Sequence, residues 1–501
     1  MKMAIKRGVV VGISLILQIM LSLTFLLFLG KYIAIIETFY LIFSILLVLA
    51  IIKESKNLSS DLPWIIIILL FPIAGALLYV VIGGNLHRSK ILKNINKQIE
   101  NSRKYLIQDE KIKLEMQEND FDKLKYISNY VGFPVTKNND LKYYKFGELA
   151  YPTMLEELEK AEKFIFLEYF IINKGTMWNS ILDVLVKKAK DGVDVRVIYD
   201  DMGCIAMLPS NYPKTLESIG IKCIAFNEVK PFLGVIMNNR DHRKMMIIDG
   251  RVVFTGGINL SDEYINKTRP HGVWKDNVLK IQGEAVWNFT VMFLSMWNSY
   301  RKDDRDYYKF KYNFLKQELV NGYIVPYGES PLDDEIVGEN VYLNIINQAK
   351  KYLYIYTPYL IIDTDMLNAL TLASKRGVEV CIIVPGIPDK KIVYDLTSSY
   401  FEQLIKYGVK IYKYKPGFVH SKVFLADDKI ATVGTINMDY RSLYLHFECG
   451  VYMQDVNIIK DIKEDFEEAI NLSHLVTKKE ASPKLLKGLW QAILRLFAPL
   501  M

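Results

Sequence analysis

One six-position pattern, H-x-K-x4-D-x6-G-[GT]-x-N, occurs twice in this chain and constrains its fold more than any other feature. The first copy is His242, Lys244, Asp249, Gly256, Gly257 and Asn259. The second is His420, Lys422, Asp427, Gly434, Thr435 and Asn437, 178 residues further on. A pattern of this length recurring across such an interval indicates an internal duplication rather than chance.

Each copy reads as a β-hairpin. From Lys244 the chain is apolar through Met245–Ile248, meets Asp249-Gly250, and is apolar again through Val252–Thr255. Two β-type runs around a D-G step predict a turn. A two-residue turn places His242 across from Gly257 and His420 across from Thr435. His and Lys two apart on a strand share a face. Asn259 and Asn437 return near the same strand ends, so each copy is expected to gather an imidazole, an ammonium and a carboxamide. Gly256 and Gly434 would let a ligand approach the backbone. These are the groups that bind and attack a phosphate.

The duplication extends beyond the motif. From about Asp120 the pattern is α/β, with helical runs at Met154–Lys163, Ile181–Lys190 and Thr215–Ile219 before apolar strand-like runs at Phe164–Ile172, Val193–Tyr199 and Ile221–Phe226. The same order returns as Leu343–Lys351, Leu367–Lys375 and Phe401–Lys406 before Tyr352–Tyr356, Val378–Val384 and Val409–Tyr414. Ala161, Gly192, Gly220 and His242 match Ala349, Gly377, Gly408 and His420. The expected body is two duplicated α/β domains, 120–315 and 316–475, each a mixed sheet flanked by helices. A pseudo-two-fold pair with one half-site per domain would share a single cleft.

The ends differ in character. The first 84 residues hold three apolar runs, Val9–Leu29, Tyr32–Ile52 and Leu62–Ile82, each long enough to cross a bilayer. Trp64 and Tyr79 are placed as interfacial anchors near the ends of the third. Successive runs with no small-residue cleavage site predict a multi-pass transmembrane helical anchor, not a signal peptide. Lys2, Lys6 and Arg7 precede the first run, and Arg88, Lys90, Lys93 and Lys97 follow the third. Two spans with both ends inside, the first two runs forming a tight hairpin or re-entrant element around Gly30-Lys31 and the third run spanning, satisfy the positive-inside rule better than three full spans and leave the body cytoplasmic. Residues 85–119 read as a basic helical linker, either solvated or touching anionic headgroups. After Ser482-Pro483, Leu485, Leu486, Leu489, Trp490, Ile493, Leu494, Leu496 and Phe497 predict an amphipathic helix over 482–501, suited to a membrane interface or to the protein's own core. The net charge of +7 suits an anionic partner. Cys204, Cys223, Cys381 and Cys449 show neither redox nor zinc spacing and are expected to be buried and reduced.

The duplicated H-x-K-x4-D motif resembles that of the phospholipase D superfamily. The words LEYFII (167–172), RDHRKMMIIDGRVVFTGGINLSDEY (240–264), TPYLIID (357–363) and VHSKVFLADDKIATVGTINMDYRS (419–442) are similar to those of bacterial cardiolipin synthases. The resemblance implies a membrane enzyme that moves a phosphatidyl group between two phosphatidylglycerol molecules, giving cardiolipin and glycerol through a phosphohistidine. It implies a catalytic set of His242, Lys244, Asp249, His420, Lys422 and Asp427, with His242 as nucleophile and His420 as acid and base. No metal or other cofactor is implied, and the partners are phosphatidylglycerol and anionic membrane lipid rather than nucleic acid. Phosphate contact or support would come from Asn259, Asn437, Gly257, Thr435, Asp276 and Glu448.

Each histidine also needs a carboxylate to fix its tautomer. Asp249 and Asp427 sit too far along their strands and read as scaffold. Asp276, in the W-x-D word Trp274-Lys-Asp276, and Glu448, after His446-Phe447, are the better partners. The superfamily word at the second position is N-F-E, so His446 departs from it. His87, His271, His446 and His474 match no motif and are read as structural or surface groups. The residues themselves leave water, phosphatidylglycerol or a nucleic acid open as reactant.

Overall fold

The computed structural model describes residues 33–55, 58–79, 90–118, 122–228, 239–314 and 322–500, with a few positions between 16 and 24. The first expected span lies almost wholly outside the described residues, as do Gly30-Lys31, Arg88 and the junction 315–321. The chain divides into two compact units. One contains the N-terminal helices and the last residues from Ile493. The other contains 90–228 and 239–492.

In the first unit, a helix over Ile33–Glu54 presents Phe39, Leu41, Ile42, Phe43 and Leu46 to the outside. Among the described residues no helix is long and apolar enough to cross a membrane; the described side chains of this one run only from Thr38. The third apolar run is not one rod. Helices Leu58–Leu70 and Pro72–Leu78 meet at Phe71, which takes an extended φ of −133°. Proline disfavours helical backbone in the residue before it, which explains a break there. Gly75 lies against the Ile67 and Ile68 backbone. The rings of Trp64 and Tyr79 meet at 5.6 Å, whereas a straight helix would hold these residues about 22 Å apart. The run therefore folds back on itself, and the expected anchors at opposite ends are packed together.

The second unit holds the duplication. Strands of the first half are β1 (Asn139–Tyr144), β2 (Phe164–Tyr169), β3 (Asp194–Asp200), β4 (Lys222–Phe226), β5 (Arg240–Asp241), β6 (Met245–Ile248), β7 (Val252–Gly256), β8 (Val273–Lys275) and β9 (Val278–Gly283). Those of the second are β10 (Tyr323–Glu329), β11 (Tyr352–Tyr356), β12 (Glu379–Pro385), β13 (Lys410–Tyr414), β14 (Gly417–Val419), β15 (Val423–Ala426), β16 (Ile430–Gly434), β17 (His446–Gln454) and β18 (Ser473–Leu475). The first sheet is ordered β1-β9-β7-β6-β2-β3-β4 and the second β10-β17-β16-β15-β11-β12-β13, extended by β18. Each joins three parallel strands to an antiparallel meander. The expected mixed sheets and their internal duplication are both present. Strands begin and end within a few residues of the predicted runs, because buried strands are continuous apolar stretches bounded by turns.

The two halves share one core. Helix Val286–Tyr300, the last of the first half, is buried along nearly its whole length. Its Phe289, Phe293 and Trp297 belong to one apolar cluster with Phe166 of the first sheet and Val423, Leu425, Phe447 and Val451 of the second. Asn288 spans both halves by donating to the carbonyls of Pro134 and Pro326, each at 3.0 Å. The basic segment is neither a solvated linker nor wholly committed to a surface. Helix Lys90–Ser102 buries Leu92 and Ile95, and Asn94 donates to the Ser299 carbonyl, while Lys93 and Lys97 stay exposed.

The hairpin turns hold three residues, not two. Ile248 pairs with Val252 and Ala426 with Ile430, which shifts the register one residue from that expected. Asp249 and Asp427 occupy left-handed backbone at φ of 54° and 56°, a region that aspartate tolerates better than most residues. Their carboxylates each accept three backbone N–H bonds. Asp249 takes those of Glu162, Lys163 and Phe164 at 2.8–2.9 Å. Asp427 takes those of Lys350, Lys351 and Tyr352 at 2.7–3.0 Å. The motif aspartates thus tie each hairpin to the start of its neighbouring strand, some 20 Å of strand from the histidines. Asp249→Ala is expected to destabilise the folded protein by about 1–3 kcal/mol, since it strands the buried Phe164 N–H and leaves those of Glu162 and Lys163 to partial solvent. Thermal unfolding with activity per folded molecule checks this; stability unchanged with activity lost would make Asp249 a reacting group.

Candidate active site

Two very short strand pairs build the site, and each crosses between halves. β5 runs parallel to the start of β17, with Arg240 beside His446 and Asp241 beside Phe447. β14 runs parallel to β8, with Phe418 beside Trp274 and Val419 beside Lys275. The next residue of each strand carries the chemistry. The His242 amide donates to the Phe447 carbonyl and the His420 amide to that of Lys275, both at 2.8 Å. The histidine of one half therefore comes to lie against the carboxylate of the other.

The side chains follow. His242 Nδ1 lies 2.8 and 2.9 Å from the two carboxylate oxygens of Glu448. His420 Nδ1 lies 2.7 Å from Asp276 Oδ2. A carboxylate only accepts, so each Nδ1 carries the proton and each Nε2 keeps a lone pair. Glu448 and Asp276 are fully buried. Asp276 is therefore no surface carboxylate, and each of the two carboxylates lies against the histidine of the other half. Lys275, the neighbour of Asp276, points elsewhere and pairs with Asp465 of the second half at 2.8 Å.

Lys244 and Lys422 share the strand face of their histidines, as the spacing predicted. Lys244 Nζ donates to the His242 carbonyl at 2.5 Å. Lys422 Nζ donates to the His420 carbonyl and lies 3.0 Å from His420 Nδ1. Arg243 takes the opposite face and pairs with Glu168 at 2.7 Å. The electrostatics tie the halves together. Burial, then the charges of Lys244 and Lys422, hold His242 well below the ordinary histidine range. Burial and Lys422 push His420 down to about 4, against the pull of Asp276. Burial pushes Lys244 down to about 8 and Lys422 to about 7. Burial would raise Asp276, but His420 and Lys422 overcome it and hold that carboxyl below the usual range.

Other motif positions prove to be scaffold. A Cβ at Gly256 would strike the Asn277 carbonyl and one at Gly434 the Cys449 carbonyl, so these glycines admit a neighbouring strand rather than a ligand. A Cβ at Gly257 would overlap the Asp276 carboxylate itself. In the second half Thr435 stands there instead, and its hydroxyl donates to Glu448 Oε2 at 2.5 Å. One half uses space, the other a hydroxyl, to seat the carboxylate. Asn259 is occupied at both ends, accepting from the Ile171 amide at 3.0 Å and donating to the Tyr264 hydroxyl at 2.7 Å. Asn437 Oδ1 is buried without a hydrogen-bond partner.

One residue of the site was missed. His446 is not at the surface: it is buried with its ring centre 5.7 Å from that of His242. It stands two residues before Glu448, as Trp274 stands two before Asp276 and packs 5.6 Å from His420. That parallel was present in the sequence.

Two buried imidazoles, each hydrogen-bonded to a carboxylate of the other half and flanked by an ammonium, are thus assembled from two half-sites. The family described as "Cardiolipin synthase, PLD-like domain" matches residues 154–297 and 342–470, and "Phospholipase_D-nuclease N-terminal" matches 40–84. The chain belongs to this cardiolipin synthase-type, phospholipase D-like family. It is 45% identical over 466 residues to an uncharacterized protein of Streptococcus mutans, covering 91% of this chain and 99% of that one. It is 34% identical over 425 residues to a cardiolipin synthase of Alkalihalophilus pseudofirmus, covering 82% and 83%. To a cardiolipin synthase of Clostridium perfringens it is 34% identical over 461 residues, covering 89% and 95%. Among solved structures, phosphatidylserine synthase of Haemophilus influenzae shares the fold at a TM-score of 0.55 and 14% identity, covering 73% of this chain and 95% of that one.

Gly257→Ala should displace Asp276 and lower kcat roughly ten- to hundredfold, the cost of losing an orienting partner; steady-state kinetics beside Asp276→Asn check it, and full activity would contradict the packing. The lysine values fix a pH limb. Both ammonium groups carry charge at low pH and lose it as pH rises through about 7 and about 8. KM for a soluble anionic phosphodiester should therefore climb above pH 8, and a KM flat to pH 9 would refute the assignment.

Proposed function

We propose that the protein is a membrane-bound cardiolipin synthase of the phospholipase D type, using two phosphatidylglycerol molecules. The observation that carries this is the pair of crossed His–carboxylate bonds, which leave two Nε2 atoms for one phosphodiester. His242 Nε2 attacks the phosphorus of the first phosphatidylglycerol. The bond to the headgroup glycerol oxygen breaks as His420 delivers a proton to it, and glycerol leaves. The phosphatidyl group then rests on His242. His420 next takes the proton from the terminal hydroxyl of a second phosphatidylglycerol, whose oxygen attacks phosphorus and frees His242. The sum is cardiolipin plus glycerol, and it is reversible. His242 as nucleophile follows the family resemblance, and its neutrality suits that role.

The lysines explain how one histidine can be neutral at rest and acidic in action. Burial first, and then the positive field of Lys422 and Lys244, keep His420 unprotonated, and an anionic phosphate between the two lysines offsets the second of these. The proton affinity of His420 then rises as the leaving oxygen needs a proton. The same ammonium groups stabilise charge gathering on the phosphoryl oxygens. Asp249 and Asp427 support the site from the turns, and Asn259 fixes its wall.

A lipid substrate is supported by both ends of the chain. Helix Ile33–Glu54 exposes apolar side chains along its described length, and a multi-pass anchor with a cytoplasmic body remains part of this proposal. Helix Leu485–Leu496 exposes Leu485, Leu486, Leu489, Trp490 and Ile493 and buries Leu494. Leu485 and Leu486 are 79% and 80% exposed, whereas Gln491 is buried and donates to Ser398 Oγ at 3.0 Å. A helix that turns glutamine inward and leucine outward suits a bilayer surface.

Purified full-length protein with vesicles of phosphatidylglycerol alone should yield cardiolipin and glycerol in equal amounts. His242→Ala and His420→Ala should each abolish both products. Phosphatidic acid as the main product would assign a hydrolase instead. Replacing Leu485, Leu486 and Leu489 together by Gln should lower turnover on vesicles tenfold or more and leave a short soluble phosphodiester unaffected. Equal losses on both substrates would give the helix a folding role.

A further inference from the structure

His446 has no place in the transfer scheme, yet it is buried and both of its ring nitrogens lack a hydrogen-bond partner. Its Nδ1 lies 3.8 Å from Glu448 Oε1, which in turn lies 2.8 Å from His242 Nδ1. Among the described residues, His242, His446 and Glu448 form a group whose ligand atoms all fall within 4.8 Å of one another. Ligands at zinc distances in a tetrahedron stand about 3.4 Å apart, so these separations bracket what an ion would draw together. Two imidazoles and one carboxylate, with an open fourth position, is a donor set for zinc or a similar borderline divalent ion.

We propose that His242, His446 and Glu448 form an inhibitory transition-metal site superimposed on half of the active site. The inhibition follows from the tautomer of His242. At rest Nδ1 carries the proton, donated to Glu448, and Nε2 holds the lone pair that attacks phosphorus. A metal ion bonded to Nδ1 takes the lone pair of that nitrogen. The neutral ring keeps one proton, which moves to Nε2, and the nucleophile is lost with no net release of protons from His242. Glu448 exchanges its hydrogen bond for a metal bond. Asparagine, the residue that the superfamily word places here, would leave only two strong ligands. The equivalent position in the other half is Trp274, which binds no metal, so only the His242 half is sensitive.

The inhibition rests on the proposed role of His242, whereas metal binding does not, and the test separates them. Full-length protein in detergent is stripped with a chelator and titrated with cobalt(II), then assayed on phosphatidylglycerol with zinc(II) added. The expected results are one equivalent of cobalt with the visible d–d bands of a low-coordinate nitrogen–oxygen site, and activity lost with zinc and restored by chelator. In His446→Asn the bands should vanish, and half-inhibition should need at least tenfold more zinc; this comparison also removes zinc held by lipid phosphate. Absent cobalt bands in the unaltered protein overturn the site. Equal zinc sensitivity in protein and variant, or cobalt bound with no loss of transfer, overturns the inhibition.

Discussion

The site depends on two parallel strand pairs of two and three residues. Because β5 lies beside β17 and β14 beside β8, His242 and His420 each reach the other half for a carboxylate. Neither half could orient its own histidine. Duplication alone would give two binding hairpins; the exchange of short strands turns them into one reaction centre. The shared core around helix Val286–Tyr300 holds that exchange in register, and Asn288 and the Lys275–Asp465 pair fasten it with polar contacts.

The exchange also balances charge. Two ammonium groups, two carboxylates and two neutral imidazoles are buried together, so the site carries little net charge. An unpaired buried charge costs several kcal/mol, and here each has an opposite within the same small space. The arrangement keeps the lysines near the limit of holding their protons. In the proposed scheme an arriving phosphate sits against these two ammonium groups, and His420 gains its proton in the same event.

Much of the body could be read from the sequence. The order of helices and strands, the duplication, the shared face of His and Lys, and the scaffold role of Asp249 and Asp427 all came from local pattern. Asp276 and Glu448 were legible as carboxylates in register with motif words. The crossing of their bonds was not, because two- and three-residue strands carry no periodicity. The one-residue register shift came from a turn whose length depends on aspartate entering left-handed backbone. Gly256 and Gly434 looked like openings for a ligand, but only the packed sheet shows which backbone they admit. The break at Phe71-Pro72 is invisible to hydropathy averaged over the run, which registers the apolar character of proline's neighbours and not its backbone restriction. His446 was set aside because it matched no motif, although its departure from the family word marked it.

The central claim is that the phosphatidyl group is carried on His242 while His420, from the other half, acts as acid and base. A phosphodiester of a good leaving group such as nitrophenol needs no proton on departure, so the first step can be isolated. With this substrate, His420→Ala should release one equivalent of nitrophenolate in a burst and carry the phosphoryl group on His242, located by mass spectrometry after alkaline quench. His242→Ala should give no burst. A burst from His242→Ala, or phosphorus found on another residue, would contradict the account.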